Sequence, residues 1–112
     1  MYRLIASGEI ERSPGGTLTF EGERFGSGVS MFLVYSEPGA GPVLHTHPYS
    51  ETWVMRAGRA RFRADEVELD AGPGDIIVVG AHTPHKFTNT GTDRLDIICI
   101  HDSPIFIQHD LE

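Results

Sequence analysis

The sequence predicts an all-β sandwich or barrel of short strands. Three observations carry that prediction. Apolar stretches of a few residues recur about every ten positions, turn-forming glycine and proline punctuate them, and no segment sustains a helical period over ten or more residues. With 13 glycines and 7 prolines spread along 112 residues, the turns are as regular as the strands. No linker, repeat or low-complexity tract divides the chain, so one domain over residues 1–112 is expected.

In chain order the predicted strands are MFLVY (31–35), ETWVM (51–55), RARF (59–62), VEL (67–69), DIIVV (75–79), KFTN (86–89) and LDIICI (95–100). EPGAGP, AGPGD and NTGTD are turn material between them. The segment RARFRADEVELD reads as a hairpin. Folding about Ala64-Asp65 sets Arg63 opposite Glu66, Arg61 opposite Glu68 and Arg59 opposite Asp70, with Phe62 meeting Val67 and Ala60 meeting Leu69 on the other face. Every arginine then has an acidic partner, so the run is a solvated cross-strand ladder rather than an anion site.

The charge balance excludes some functions. A formal net charge of −7 is a poor match to nucleic acid or anionic membrane, which call for clustered Lys and Arg. No apolar run approaches the roughly 18 residues of a membrane-spanning helix, and the N-terminal MYRLIASGEI does not read as a signal peptide. One cysteine, Cys99, cannot form an internal disulfide, in keeping with a reducing cytoplasm. It reads as a small core hydrophobe rather than a nucleophile.

The chemistry lies in the histidines. In LHTHPYSETWVM, His45 and His47 are two apart and share a face on extended chain. Glu51, an even number of residues on, can rejoin that face after the Pro48-Tyr49-Ser50 turn. Trp53 and Met55 keep the same parity and are expected to line a cavity beyond it. Two imidazoles and a carboxylate on one face suit Fe, Mn, Ni, Co, Cu or Zn. His85, after the DIIVV strand and the Thr83-Pro84 turn, is the best candidate for a fourth ligand. Tyr35, Tyr49, Trp53, Met55, Phe87 and His101 are candidate pocket walls. His101 falls either on the inward face with Leu95, Ile97 and Cys99 or on the equally apolar opposite one. His82 lies in a turn suited to positive φ, either exposed or turned to the pocket mouth.

These residues resemble the cupin family. Its first motif is Gly, five residues, His-x-His, three or four residues, Glu, six residues, Gly, which is met here by Gly39, His45, His47, Glu51 and Gly58 (39–58). Its second motif (74–89) keeps Gly74, His85 and Asn89, but Gly80 stands where the family has proline and His82 where it has a second glycine. The resemblance implies a six- to eight-stranded double-stranded β-helix, or jelly-roll barrel, with a divalent metal in its mouth held by His45, His47, Glu51 and His85. It also implies a metal-dependent enzyme acting on a small organic molecule, of dioxygenase or isomerase/lyase type, in which Glu51 is a ligand and a potential base. The alternative is a non-catalytic small-molecule-binding or sensor cupin. A homodimer formed by sheet extension is expected, through RLIASGEIE or SPIFIQHD at either end of the chain.

Overall fold

The computed structural model describes residues 1–112. Each of the seven apolar stretches forms a strand, and four shorter strands join them. The order is β1 (Glu11–Arg12), β2 (Leu18–Phe20), β3 (Ser30–Ser36), β4 (His45–Thr46), β5 (Glu51–Ala57), β6 (Ala60–Ala64), β7 (Val67–Ala71), β8 (Ile76–Val79), β9 (His85–Asn89), β10 (Leu95–His101) and β11 (His109–Asp110). Only two 3₁₀ turns, Ser7–Glu9 and Gly22–Phe25, are helical. The strands make two antiparallel sheets, β1-β2-β3-β10-β5-β8 and β11-β4-β9-β6-β7. This is the jelly-roll arrangement, with one correction. There are eleven strands instead of six to eight, and the two sheets are not hydrogen-bonded into one closed barrel. The added strands are two or three residues long, too short to show a period.

The sheets face each other because each long strand is apolar on alternate residues. In β10, Leu95, Ile97, Cys99 and His101 are buried while the residues between them are not. Trp53, Met55, Ile97 and Cys99 from the larger sheet meet Ala60, Phe62 and Phe87 from the smaller. The Trp53 and Phe62 rings lie 4.4 Å apart and Phe62 and Phe87 5.7 Å apart, so aromatic packing joins the layers directly.

The β6–β7 hairpin differs from expectation by two residues. Arg61 stands opposite Asp70, Phe62 opposite Leu69 and Ala64 opposite Val67, so the turn is Asp65-Glu66 instead of Ala64-Asp65. Asp65 takes φ +52°, which an aspartate tolerates better than an alanine, and its N–H donates to Pro84 O at 2.9 Å. An even shift leaves every side chain on its expected face. Of the expected ladder one ion pair forms, Arg61 Nε donating to Asp70 at 3.0 Å, while Arg63 donates to Asp65 O and Arg59 falls outside β6. Val67 and Leu69 are nevertheless exposed, because β7 is an edge strand with nothing beyond it to cover that face.

Gly41 fixes the wall of the site. The 37–44 loop crosses β9 so closely that a Cβ at Gly41 would lie 1.9 Å from Phe87 O. Only glycine allows that approach.

Candidate metal centre

Register brings the ligand set together. His45 stands directly opposite His85 across β4 and β9. Glu51 stands opposite His101 across β5 and β10 in the facing sheet. His47 follows β4 by one residue. His45, His47, Glu51 and His85 are all buried, and each offers one ligand atom within 4.8 Å of the others.

The imidazoles are held in a common tautomer. His45 Nδ1 lies 2.6 Å from Val43 O, His47 Nδ1 2.7 Å from Ile107 O, and His85 Nδ1 2.7 Å from Thr83 O. A carbonyl only accepts, so each Nδ1 carries the hydrogen and donates it. Each Nε2 is left with a lone pair, and those of His85 and His47 are turned towards Glu51. His85 Nε2 is 3.0 Å and His47 Nε2 3.2 Å from Glu51 Oε1. His47 Nε2 is buried without a hydrogen-bond partner. Lone pairs converging on a carboxylate oxygen out of water call for a cation between them. The donor set of three nitrogens and one oxygen fits a divalent transition ion. A structural zinc site would be closed and thiolate-rich.

Burial is the largest influence on the Glu51 carboxyl and acts to raise its pKa. The His101 N–H and the close imidazoles of His47 and His85 outweigh it and hold the group far below the carboxylate range. The His45 pKa is lowered, first by burial and further by His85 and His47, against the opposing Val43 hydrogen bond and Glu51 charge. A neutral imidazole is the form that binds metal.

His101 is inward-facing and buried, which settles the choice of face. It differs from the other three in its hydrogen bonds. Tyr49 Oη accepts from Ile107 N and lies 2.7 Å from His101 Nδ1, to which it donates its own hydrogen. Glu51 Oε2, 3.2 Å from His101 Nε2, only accepts, so Nε2 bears the ring hydrogen and directs it there. With no free lone pair, His101 is not placed to be a ligand. Trp53 Nε1 donates to the same Oε2 at 2.6 Å.

A cavity of about 460 Å³ opens onto this centre. His45, Glu51 and His101 face it, and Phe32, Val34, Trp53, Phe87 and Cys99 supply apolar wall. Among the expected wall residues, Trp53, Phe87 and His101 line it, and Tyr35 stands at the rim. Two do not. Met55 is packed into the core below, and Tyr49 lies behind His47, its ring stacked at 5.0 Å. Phe32, Val34 and Gln108 are additional lining residues. The alternation in MFLVY already put Phe32 and Val34 on one face, whereas Gln108 arrives only through the tertiary path of the C-terminal segment. No Lys or Arg lines the cavity.

His82 is exposed at φ +64°. It occupies the left-handed position of a family glycine, and its N–H donates to His47 O at 2.7 Å, bracing a ligand from outside the pocket. The Cys99 thiol is fully buried and its pKa is pushed well up, chiefly by burial, so it is a core group.

Residues 32–101 match the model of the cupin domain. The uncharacterized protein MJ1618 of Methanocaldococcus jannaschii is 34% identical over 62 residues, and the match spans 54% of this chain and 50% of that protein. In fold the chain is similar to an oxalate decarboxylase of Lactobacillus farciminis in complex with formate, with TM-score 0.80, 22% identity, and coverage of 93% of this chain and 34% of that one. It is also similar to the Bacillus subtilis oxalate decarboxylase whose Mn(II) centers have been characterised, with TM-score 0.78, 24% identity, and coverage of 91% and 29%. The chain thus spans about half of the curated relative and about a third of either solved structure. With both motifs inside a match covering more than half of its length, the chain belongs to the cupin family.

Proposed function

We propose that this cupin holds one divalent transition metal through His45, His47, Glu51 and His85 and is a metal-dependent enzyme acting on a small, largely apolar organic molecule. The observation that carries the metal is the set of three Nδ1-to-carbonyl hydrogen bonds, which free three buried Nε2 atoms, two of them within 3.2 Å of one carboxylate oxygen. A bound metal would supply Lewis acidity to a substrate oxygen or hold substrate beside dioxygen, so dioxygenase and isomerase/lyase chemistry both remain within this reading. The chain's own residues do the rest. Phe32, Val34, Trp53 and Phe87 exclude water and grip apolar surface, and the cavity reaches the centre on the side of His45 and Glu51. Because no cationic side chain lines the cavity, a small dianion such as oxalate lacks a counter-charge beyond the metal.

The test pairs metal analysis with ligand titration. Protein purified without a nickel column is expected to carry close to one Fe, Mn, Co, Ni, Cu or Zn per chain by mass spectrometry. A metal-loaded sample is expected to bind aromatic oxygen chelators, such as catechols, more tightly than oxalate. Oxalate binding more tightly would sink the apolar-substrate reading. Turnover with consumption of oxygen or substrate separates the enzyme from a sensor that only binds.

A homodimer belongs to the same proposal. Strands β1 and β11, in the two terminal segments, each form one edge of their sheets, with β8 and β7 at the other edges. Met31, Leu33, Val54, Ile98 and Ile100 make the outer face of the larger sheet apolar, and Ile76 and Val78 extend it, 63% and 70% exposed. Light scattering is expected to return twice the single-chain mass, and the single mass would end the idea. The lone buried thiol suits a reducing compartment such as the cytoplasm.

A further inference from the structure

We propose that Trp53, His101 and Tyr49 are positioning residues that hold Glu51 as a one-oxygen metal ligand, with Oε1 turned to the ion and Oε2 kept off it. The inference rests on the metal reading above and adds how the carboxylate is constrained within it. The two oxygens of Glu51 have different surroundings. Oε1 lies among the imidazole Nε2 atoms, 3.0 Å from His85 and 3.2 Å from His47. Oε2 receives the Trp53 Nε1 hydrogen at 2.6 Å and faces the His101 Nε2 hydrogen at 3.2 Å.

The donors to Oε2 are themselves constrained. An indole N–H can only donate, and Trp53 cannot swing away because it is 1% exposed and wedged between Phe62 and Phe87. His101 could in principle carry its hydrogen on either nitrogen. Glu51 Oε2 decides it, because a carboxylate oxygen only accepts: the ring hydrogen is on Nε2, and Nδ1 accepts the phenol hydrogen of Tyr49, whose oxygen accepts from Ile107 N. A chain of hydrogen bonds thus runs Ile107 to Tyr49 to His101 to Glu51, each member donating to the next. All of it but Glu51 lies outside the four-ligand set.

Two consequences follow. A carboxylate with two donors on one oxygen is held back from chelating through both, so a bound ion would keep an additional position open. Nor does Glu51 have a bare oxygen with which to take a substrate proton. Its function in this arrangement would be to hold the ion, and a substrate proton would need another acceptor, such as solvent.

The test uses cobalt(II), whose visible absorption reports coordination number without any turnover. Tyr49→Phe removes one hydroxyl and keeps the ring stacked on His47. His101→Phe removes the donor to Oε2, and His101→Gln restores an N–H there. Tyr49→Phe and His101→Phe are expected to keep wild-type circular dichroism while cobalt affinity falls about tenfold or more. The visible bands should shift in intensity and position, most in His101→Phe, and His101→Gln should recover them at least in part. Folded variants with the wild-type spectrum and affinity would overturn the inference while leaving the metal site standing. Wild-type protein that fails to take up cobalt would overturn both. Should His101→Phe not fold, Tyr49→Phe and His101→Gln decide together: Tyr49→Phe should shift the spectrum while His101→Gln, which keeps an N–H at Oε2, stays closer to wild type, and the reverse order would overturn the inference.

Discussion

Replacing His47 with alanine is expected to reduce metal content from near one ion per chain to near zero, while the variant remains folded. Loss of an outer partner of a metal ligand typically costs 10–100-fold in affinity, and loss of a ligand itself should exceed that. His47 is the most telling of the four, because its Nε2 is the one buried side-chain polar atom left without a hydrogen-bond partner. A metal that engages Nε2 removes that cost, so wild-type protein should gain thermal stability on loading and the variant should not. At a free metal concentration of 100 times Kd the gain is about 2.7 kcal/mol. The effect has a definite pH sign. The His45 pKa is lowered in the fold, so its contribution is fully present above about 6.5 and is lost as pH falls towards the lowered value. Glu51 is also lowered, so its contribution is present above about 4.5 and is lost in more acid solution. Both groups make the metal-free protein weaker in acid, and protons also compete for the ligands. Wild-type stability in the presence of metal should therefore fall more steeply below pH 6.5 than that of His47→Ala. Equal profiles, with no loading effect in either protein, would remove the metal from the account.

Much of this site was legible because it depends on parity. His45, His47, Glu51 and Trp53 are spaced by even numbers, and an extended chain must put them on one side whatever else it does. The seven long strands were legible for the same reason. What escaped depends on distance in the chain. Nothing local announces that Ile107 O will meet His47 Nδ1, or that Tyr49 will reach past His47 to His101. Met55 shares the parity of Trp53 but lies one pleat further from the mouth, so parity put it on the correct face and at the wrong depth. The short strands β1, β2, β4 and β11 exist because a neighbouring strand is there to pair with, which a window of sequence cannot show.

The second large effect is expected from Phe62→Ala, which should destabilise the protein by about 3–5 kcal/mol, read as a lower urea midpoint at an unchanged slope. Phe62 is 1% exposed and packs its ring between Trp53 and Phe87, so its removal opens a cavity where the two sheets meet. The informative control is Leu69→Ala. Leu69 is the cross-strand partner of Phe62 on the same face, and by alternation alone the two are equivalent core residues. They differ only in that β6 lies inside its sheet and β7 at the edge, where Leu69 remains 40% exposed. Leu69→Ala should therefore cost under about 1 kcal/mol, since little of its surface is withdrawn from water. Equal large losses would mean that β7 is covered in solution, as a partner chain on that edge would cover it. A small loss at Phe62 would mean that the sheets are not joined through the aromatic cluster that also clamps Trp53 against Glu51.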